Sequence, residues 1–329
     1  MTRIIAALAA VFIATSVAAQ DDQPNTFTMP SAIADGKTII VDSTLANSQG
    51  AFKMEATESI RLTPIGTSGE MATFKATTIA ADLTSVEGVP PFLGAVLENM
   101  GERSVGRSFE YGADMDGLPL QLTEYSEIGP FMEELSQGVK DWSVQFGEQQ
   151  GLNEQQMAML TGFVDQGLAP FLSKDPEVLG RLVLETPQLM FGAAGRQLFE
   201  VGYYSENQGT RYMDELQGYL FTVDRWELIS HDTDAGEAIV NFEQTLDPAE
   251  HEAFLERLTN VLLQQYGEAQ ATAIQAEVDH YRALQLTRSA DYTIDLSTGL
   301  VKNGSLRSEK VFKGSTEVEN LSFSMRHAE

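Results

Sequence analysis

The sequence has no cysteine, 21 basic side chains against 48 acidic ones, two tryptophans and four histidines among 329 residues. Each shortage removes a class of function. Without cysteine there can be no disulfide, thiolate metal site or thiol nucleophile. A formal charge of −27 argues against nucleic-acid binding, whose affinity comes largely from Lys and Arg on phosphates. His231, His251, His280 and His327 are dispersed and form no H-E-x-x-H pair, so no zinc motif is present. The chain also lacks a G-x-S-x-G elbow, a G-x-x-x-x-G-K loop, and a G-x-G-x-x-G after a strand, which removes the commonest hydrolase and nucleotide signatures. Asp232-x-Asp234-x-Gly236 begins like a calcium loop, but Gly236 and Glu237 stand at its fifth and sixth positions, against the EF-hand pattern. A hairpin turn explains it better. A non-enzymatic protein without metal or cofactor is expected.

Long apolar runs are confined to the start. Arg3 precedes the apolar stretch Ile4 to Ala14, and Val17-Ala18-Ala19 supplies small residues. That is the pattern of a secretory signal peptide over 1–19, cut before Gln20. No later run approaches the roughly 20 apolar residues of a membrane helix, so the mature protein is expected to be periplasmic or secreted and not integral to a membrane. Residues 20–36, with Pro24 and Pro30 and no periodicity, read as a flexible mature N-terminus.

The whole chain is 43% apolar, and the remainder, 37–329, is long enough for a sizeable core. Its hydrophobic period changes along its length. Phe52, Met54, Ala56, Ile60 and Leu62 alternate with polar residues, a strand with one buried face that Glu58 interrupts once. Pro90-Pro91 opens a short helix over 91–100. Asp114-Met115-Asp116-Gly117 is a hairpin turn, with Leu118, Leu120 and Leu122 on its return strand. From 127 to 195 the period becomes helical: Ile128, Phe131, Leu135, Val139, Trp142 and Phe146 form one stripe, and Met157, Leu160, Val164, Leu168 and Phe171 a second. Asn153 and Gln156 make a capping box, and Asp175-Pro176 starts a third helix. Strands return at 197–246. Asp247-Pro248-Ala249-Glu250 then starts a second helical block over 248–285, ahead of closing strands at 290–326.

Segregated strands and helices predict an α+β fold: a curved, mainly antiparallel β-sheet, half-barrel-like, packed against two helical blocks. Tyr111-x-x-Asp114-x-x-Gly117-Leu118 is echoed by Tyr292-x-x-Asp295-x-x-x-Gly299-Leu300. A single domain of two similar halves and a chance repetition of ordinary turn residues are both open.

This arrangement resembles the periplasmic lipoprotein-carrier group, whose members are curved antiparallel half-barrels closed by helices. It also resembles an uncharacterised family of exported bacterial proteins, domain of unknown function 6263, through Asp116-Gly117, the helices from Glu127, Pro187 with Gly202, and Tyr292 to Gly299. A Trp usually follows the glycine that leads into the strand in that family, whereas Tyr203-Tyr204 stands here. The carrier resemblance implies an acyl chain or other apolar ligand held in the half-barrel.

Phe131, Trp142, Phe146, Met157, Met159 and Phe163 are the candidate ligand-binding residues, because methionine and aromatic side chains on adjacent helices suit a flexible apolar ligand. The same stripe also fits an ordinary helix-to-sheet core. Two functions follow: a carrier for an apolar small molecule or lipid, or a cell-envelope structural or protein-interaction module without a small ligand.

Overall fold

The computed structural model describes residues 24–33, 36–88, 101–168, 175–213, 216 and 218–328. The leader at 1–19, the helix expected over 91–100, and Phe171 lie outside the described residues.

The fold is α+β with a large, curved antiparallel sheet that is not closed into a barrel. Its strands are β2 (Ile39–Gln49), β3 (Phe52–Ser68), β4 (Met71–Glu87), β5 (Ser108–Ala113), β6 (Pro119–Glu124), β8 (Tyr204–Met213), β9 (Gly218–Asp232), β10 (Glu237–Leu246), β11 (Gln285–Asp295), β12 (Val301–Phe312) and β13 (Ser315–His327). These 11 strands run in the order β6-β5-β4-β3-β2-β13-β12-β11-β10-β9-β8. The order β6 to β2 is repeated by β12 to β8, with β13 as the strand between. A separate two-stranded ribbon pairs β1 (Thr26–Thr28) with β7 (Gln197–Phe199). Within residues 20–36, β1 thus has a partner, and Met29 and Ala32 are buried.

Alternation selects the buried face. Ile39 lies opposite Leu62, Leu62 opposite Ala76, Phe74 opposite Tyr111, and Tyr111 opposite Leu122. All are buried. In β10, Ala238, Val240 and Phe242 face in, as their alternation implies. In β9 the inward parity is Leu220, Thr222, Trp226 and Leu228, while Tyr219 and Phe221 face out.

Among the described residues there are five α-helices, and the second, third and fourth begin at the expected caps. The helices are α1 (Ile128–Gln149), α2 (Glu154–Leu168), α3 (Pro176–Met190), α4 (Pro248–Tyr266) and α5 (Ala271–Arg282). The backbone N–H of Asn153 donates to Gln156 Oε1, and that of Gln156 to Asn153 Oδ1, both at 3.0 Å. Asp247 accepts from the backbone N–H groups of Ala249 and Glu250. Such caps satisfy donors that the first helical turn leaves free. Gly267, at φ 79°, ends α4. Pro187 lies inside the last turn of α3, and Gly202 precedes β8.

The apolar interior forms two clusters on one face of the sheet. The larger joins Phe74, Tyr111, Leu184, Trp226, Tyr292 and their neighbours to α3. The smaller packs Leu255, Ile274, Val278 and Tyr281 of α4 and α5 on Met213, Leu220, Leu286 and Phe312. A fully buried leucine such as Leu184 or Leu255 stabilises by about 1.5–3 kcal/mol.

The two Tyr-Asp-Gly hairpins meet the N-terminal arm. Asp114 Oδ1 accepts from the N–H groups of Asp116 and Leu118, and Asp295 Oδ1 from those of Ser297 and Thr298. Gly299 has φ +72°, and a Cβ there would sit 2.6 Å from the Pro30 carbonyl oxygen, so glycine alone permits the close approach. The Ser31 hydroxyl donates to the Met115 carbonyl of the other hairpin. Tyr292, fully buried, donates its hydroxyl to the Leu189 carbonyl at 2.7 Å, near the end of α3. Burial raises its pKa and that of Tyr111.

Tyr292→Phe is expected to lower unfolding free energy by about 0.5–1.5 kcal/mol in denaturant titration, since it removes a buried hydrogen bond to a carbonyl that keeps the Gly192 N–H as a partner. Tyr111→Phe, at a site without a hydroxyl hydrogen bond among the described residues, should change it by less than half as much. Hydrogen bonds from Ser297 lower the Asp295 pKa to about 2. A carboxyl depressed on folding stabilises above its unfolded pKa, and that contribution is lost as pH falls through its folded value. Asp295→Asn should therefore lower the thermal midpoint at neutral pH, and the difference from the parent should fade between about pH 4 and pH 2.

Candidate functional site

An open sheet leaves β6 and β8 as its edges, and α3 bridges the space between them. Its Gln188 side chain donates to the Pro119 carbonyl on β6 at 2.9 Å. On the other side, the Arg181 guanidinium lies 4.2 Å from the Tyr212 ring centroid on β8 and 3.5 Å from the Tyr219 hydroxyl. Beneath the helix is a cleft of about 700 Å³, within the rough 300–1,000 Å³ range of small-ligand sites.

The cleft is amphipathic. Leu118, Leu122, Leu184, Trp226 and Phe242 supply its apolar wall. Trp226 lies 4.5 Å from Phe242 and 6.0 Å from Tyr292, centroid to centroid, with the Arg196 guanidinium 3.9 Å above its ring. The remaining wall is polar because the inward faces of β8–β13 carry charge between the two apolar clusters. Arg211, Asp224, Gln244, Arg288, Ser308 and Glu319 occupy that waist.

Most charges of the waist are matched. Arg288 reaches Glu185 of α3 at 2.6 Å, with the arginine side chain 11% and the glutamate 53% exposed. Lys310 pairs with Glu317 at 2.9 Å. Asp224 accepts from the Thr222 hydroxyl and the Gln244 amide, both at 2.9 Å. Arg211 differs. It donates to Ser308 Oγ at 2.7 Å and to the Thr287 carbonyl at 3.5 Å, both neutral acceptors. Burial, then the charge of Arg288, lowers its pKa to about 10. It remains cationic at neutral pH. Burial also raises the pKa of Glu319. Among the described residues, Arg288 Nε and Gln244 Oε1 in the waist are buried without a hydrogen-bond partner.

A shallower hollow of about 470 Å³ lies on the sheet around Asp42, Glu58, Asp82 and Ser324. Glu58, the interruption in the β3 pattern, accepts from Thr78 Oγ1 at 3.1 Å, yet burial raises its pKa.

The six residues expected to bind ligand lie on the α1–α2 hairpin, and none of the five with described side chains lines the cleft under α3. Phe131 sits under the Arg107 guanidinium, 4.9 Å from its ring centroid. Trp142 and Phe146 are 5.5 Å apart. Met157 packs against Gly147, where an added Cβ would collide with its sulfur. Met159 is 70% exposed. The side chain of Phe163 lies outside the described residues. The cleft residues escaped sequence reading because they come from β6, α3 and β8–β11, and no local motif joins them. The one available signal was Arg211 and Arg288 at inward positions of amphipathic strands.

Asp232 Oδ1 accepts from the N–H groups of Asp234 and Ala235, so the calcium-like motif is a β9–β10 turn. No group of three or more metal-ligating side chains occurs among the described residues. Among them, no helix is long and apolar enough to cross a membrane.

No family model matches the chain, and no curated protein matches it. A solved structure described as lipid–protein interactions in lipovitellin aligns with 93% of this chain and 26% of its own, at 10% identity and a TM-score of 0.37. The chain thus spans about a quarter of that protein, and a likeness at this level carries no functional argument.

Glu58→Gln is expected to raise the thermal midpoint at pH 7. A carboxyl whose pKa rises on folding opposes folding once ionised, and the opposition disappears below its unfolded pKa of about 4.5. The advantage should therefore vanish by about pH 4 in melts across pH.

Proposed function

We propose that this protein is an exported, non-enzymatic binding or carrier protein for an apolar ligand or lipid. The observation that carries the reading is the cleft under α3. It lies between two packed clusters, and leucine and aromatic side chains line one wall. Interiors of folded domains are close-packed, so a cleft of this size is space for an occupant. Burying an acyl chain there would contribute about 0.8 kcal/mol per methylene. The leader pattern at 1–19 supports export to the periplasm or beyond, and the acidic charge disfavours nucleic acid as a partner.

A second reading, an envelope interaction module, has its own support. The edge strand β8 and its neighbour β9 expose Tyr204, Tyr219 and Phe221. Unpaired strand edges are templates for strand addition by a partner.

Gly180 separates the two readings. It lines the cleft from α3, and a Cβ there would meet nothing within 4 Å. Gly180→Trp should fill the cleft without disturbing the helix, where glycine is itself unfavourable. Titration with a fluorescent fatty acid should give saturable binding to the parent and at least tenfold weaker binding to the variant, with an unchanged or higher melting temperature. Absence of binding to the parent would leave the interaction module as the better reading.

A further inference from the structure

The cleft under α3 is lined by slightly more basic than acidic side chains, in a protein that is otherwise strongly acidic, while the adjoining hollow adds Lys310, Glu317 and Glu319. Four arginines, Arg181, Arg196, Arg211 and Arg288, line the cleft against three carboxylates, Glu177, Glu185 and Asp224. The overall charge of −27 would repel anions from most of the surface, so a local surplus of cations is informative.

Partner by partner, Arg211 stands apart. A buried charge is costly unless it is paired and hydrogen-bonded. Asp224 is held by Thr222 and Gln244, Glu317 by Lys310, and Glu185 by Arg288. No carboxylate among the described residues forms an ion pair with Arg211. Burial, then the nearby Arg288 charge, depresses its pKa, against the opposing pull of Glu185, Glu319 and Glu317. Beside them, Arg288 Nε is a buried donor without an acceptor, and Gln244, 6% exposed, has an unpartnered Oε1. The Gln244 oxygen is an acceptor, whereas Arg288 Nε and the Arg211 guanidinium are donors that an oxygen acceptor would satisfy, and an anionic one would also relieve the repulsion between the two arginines.

Glu185 indicates how the site is held without a ligand. Its side chain is half exposed and reaches in from α3 to Arg288. Exposed carboxylates in ion pairs gain little net stability from them, so this one can yield to a competitor. The apolar wall of Leu122, Leu184 and Trp226 lies in the same cleft.

We infer that the cleft binds single-chain amphiphiles by an oxyanion headgroup, carboxylate or phosphate, received by Arg211 and Arg288 in the place where Glu185 now docks. This inference rests on the carrier reading and names its ligand class. The headgroup is anchored in the interior waist, and the tail lies along the leucine and tryptophan wall beneath α3. Bidentate geometry suits guanidinium to both oxyanions.

The test is a matched series with one twelve-carbon tail: laurate, dodecyl phosphate and dodecanol, each titrated calorimetrically into the purified protein. At least one anion should bind at least tenfold more tightly than the alcohol. A preference for laurate assigns carboxylate, and a preference for dodecyl phosphate assigns phosphate. Arg211→Gln and Arg288→Gln should bring the preferred anion down to the affinity of the alcohol. Should either variant fail to fold, Glu185→Gln carries the test, because that side chain is half exposed. It should tighten anion binding severalfold and leave dodecanol unchanged. Equal affinity for anions and alcohol, or a Glu185→Gln protein with no gain, would overturn the headgroup assignment and leave the carrier reading intact. Failure of all three probes to bind would remove both.

Discussion

The constraint on which the rest of the structure depends is an open sheet with one apolar face. Eleven antiparallel strands curve without closing, so the sheet keeps two edges and a concave face that must be covered. Apolar burial is the dominant favourable term in folding, and helices are the cover at hand. Two different solutions serve the two ends of the strands. At one end α4 and α5 seat a compact apolar cluster on Leu220, Leu286 and Phe312. At the other, α3 spans from β6 to β8 and β9, anchored by Gln188, Arg181 and the Tyr292 hydroxyl. Between these covers the face turns polar, and there the packing stops.

The fold was largely legible from the chain because its signals are local. Reciprocal Asn153–Gln156 bonds, the Asp247-Pro248 start and the inward Ala238-Val240-Phe242 row each follow from three to six neighbouring residues. Where both parities of a strand are apolar, locality fails. In β9, Tyr219 and Phe221 alternate as cleanly as Leu220 and Leu228 do, and only the register with β10, which pairs Trp226 with Phe242, decides which face is inside. The candidate cleft was not legible from the chain. The aromatic and methionine stripe of α1 and α2 drew attention because its members are close in sequence. The structure instead puts a cleft where Leu122, Arg211, Trp226 and Arg288 converge across more than 160 residues. That convergence is set by sheet topology and leaves no spacing rule in the chain.

Strand order adds a regularity that the sequence carried only as an echo. The run from β6 to β2 has the same order as that from β12 to β8, and each contains a buried tyrosine three residues before a turn aspartate. The two tyrosines do different work. Tyr292 ties α3 to the sheet through its hydroxyl, whereas Tyr111 stacks with Phe74 at 5.6 Å. The two hairpins then hold the Pro30-Ser31 arm between them.

Charge and shape combine at the waist. An acidic exterior encloses a cleft with one apolar and one charged wall, and the helix above it joins both sheet edges by polar contacts while Leu179 and Leu184 seat it on the larger cluster. The claim at the centre of this account is that the cleft exists for an occupant. Native mass spectrometry of the protein expressed from its full sequence in a bacterial host, paired with lipid extraction of the same sample, tests it most directly. The account predicts a stoichiometric adduct of amphiphile mass that is released on denaturation. A clean apo mass, unchanged after fatty acids or phospholipid are added, would contradict it.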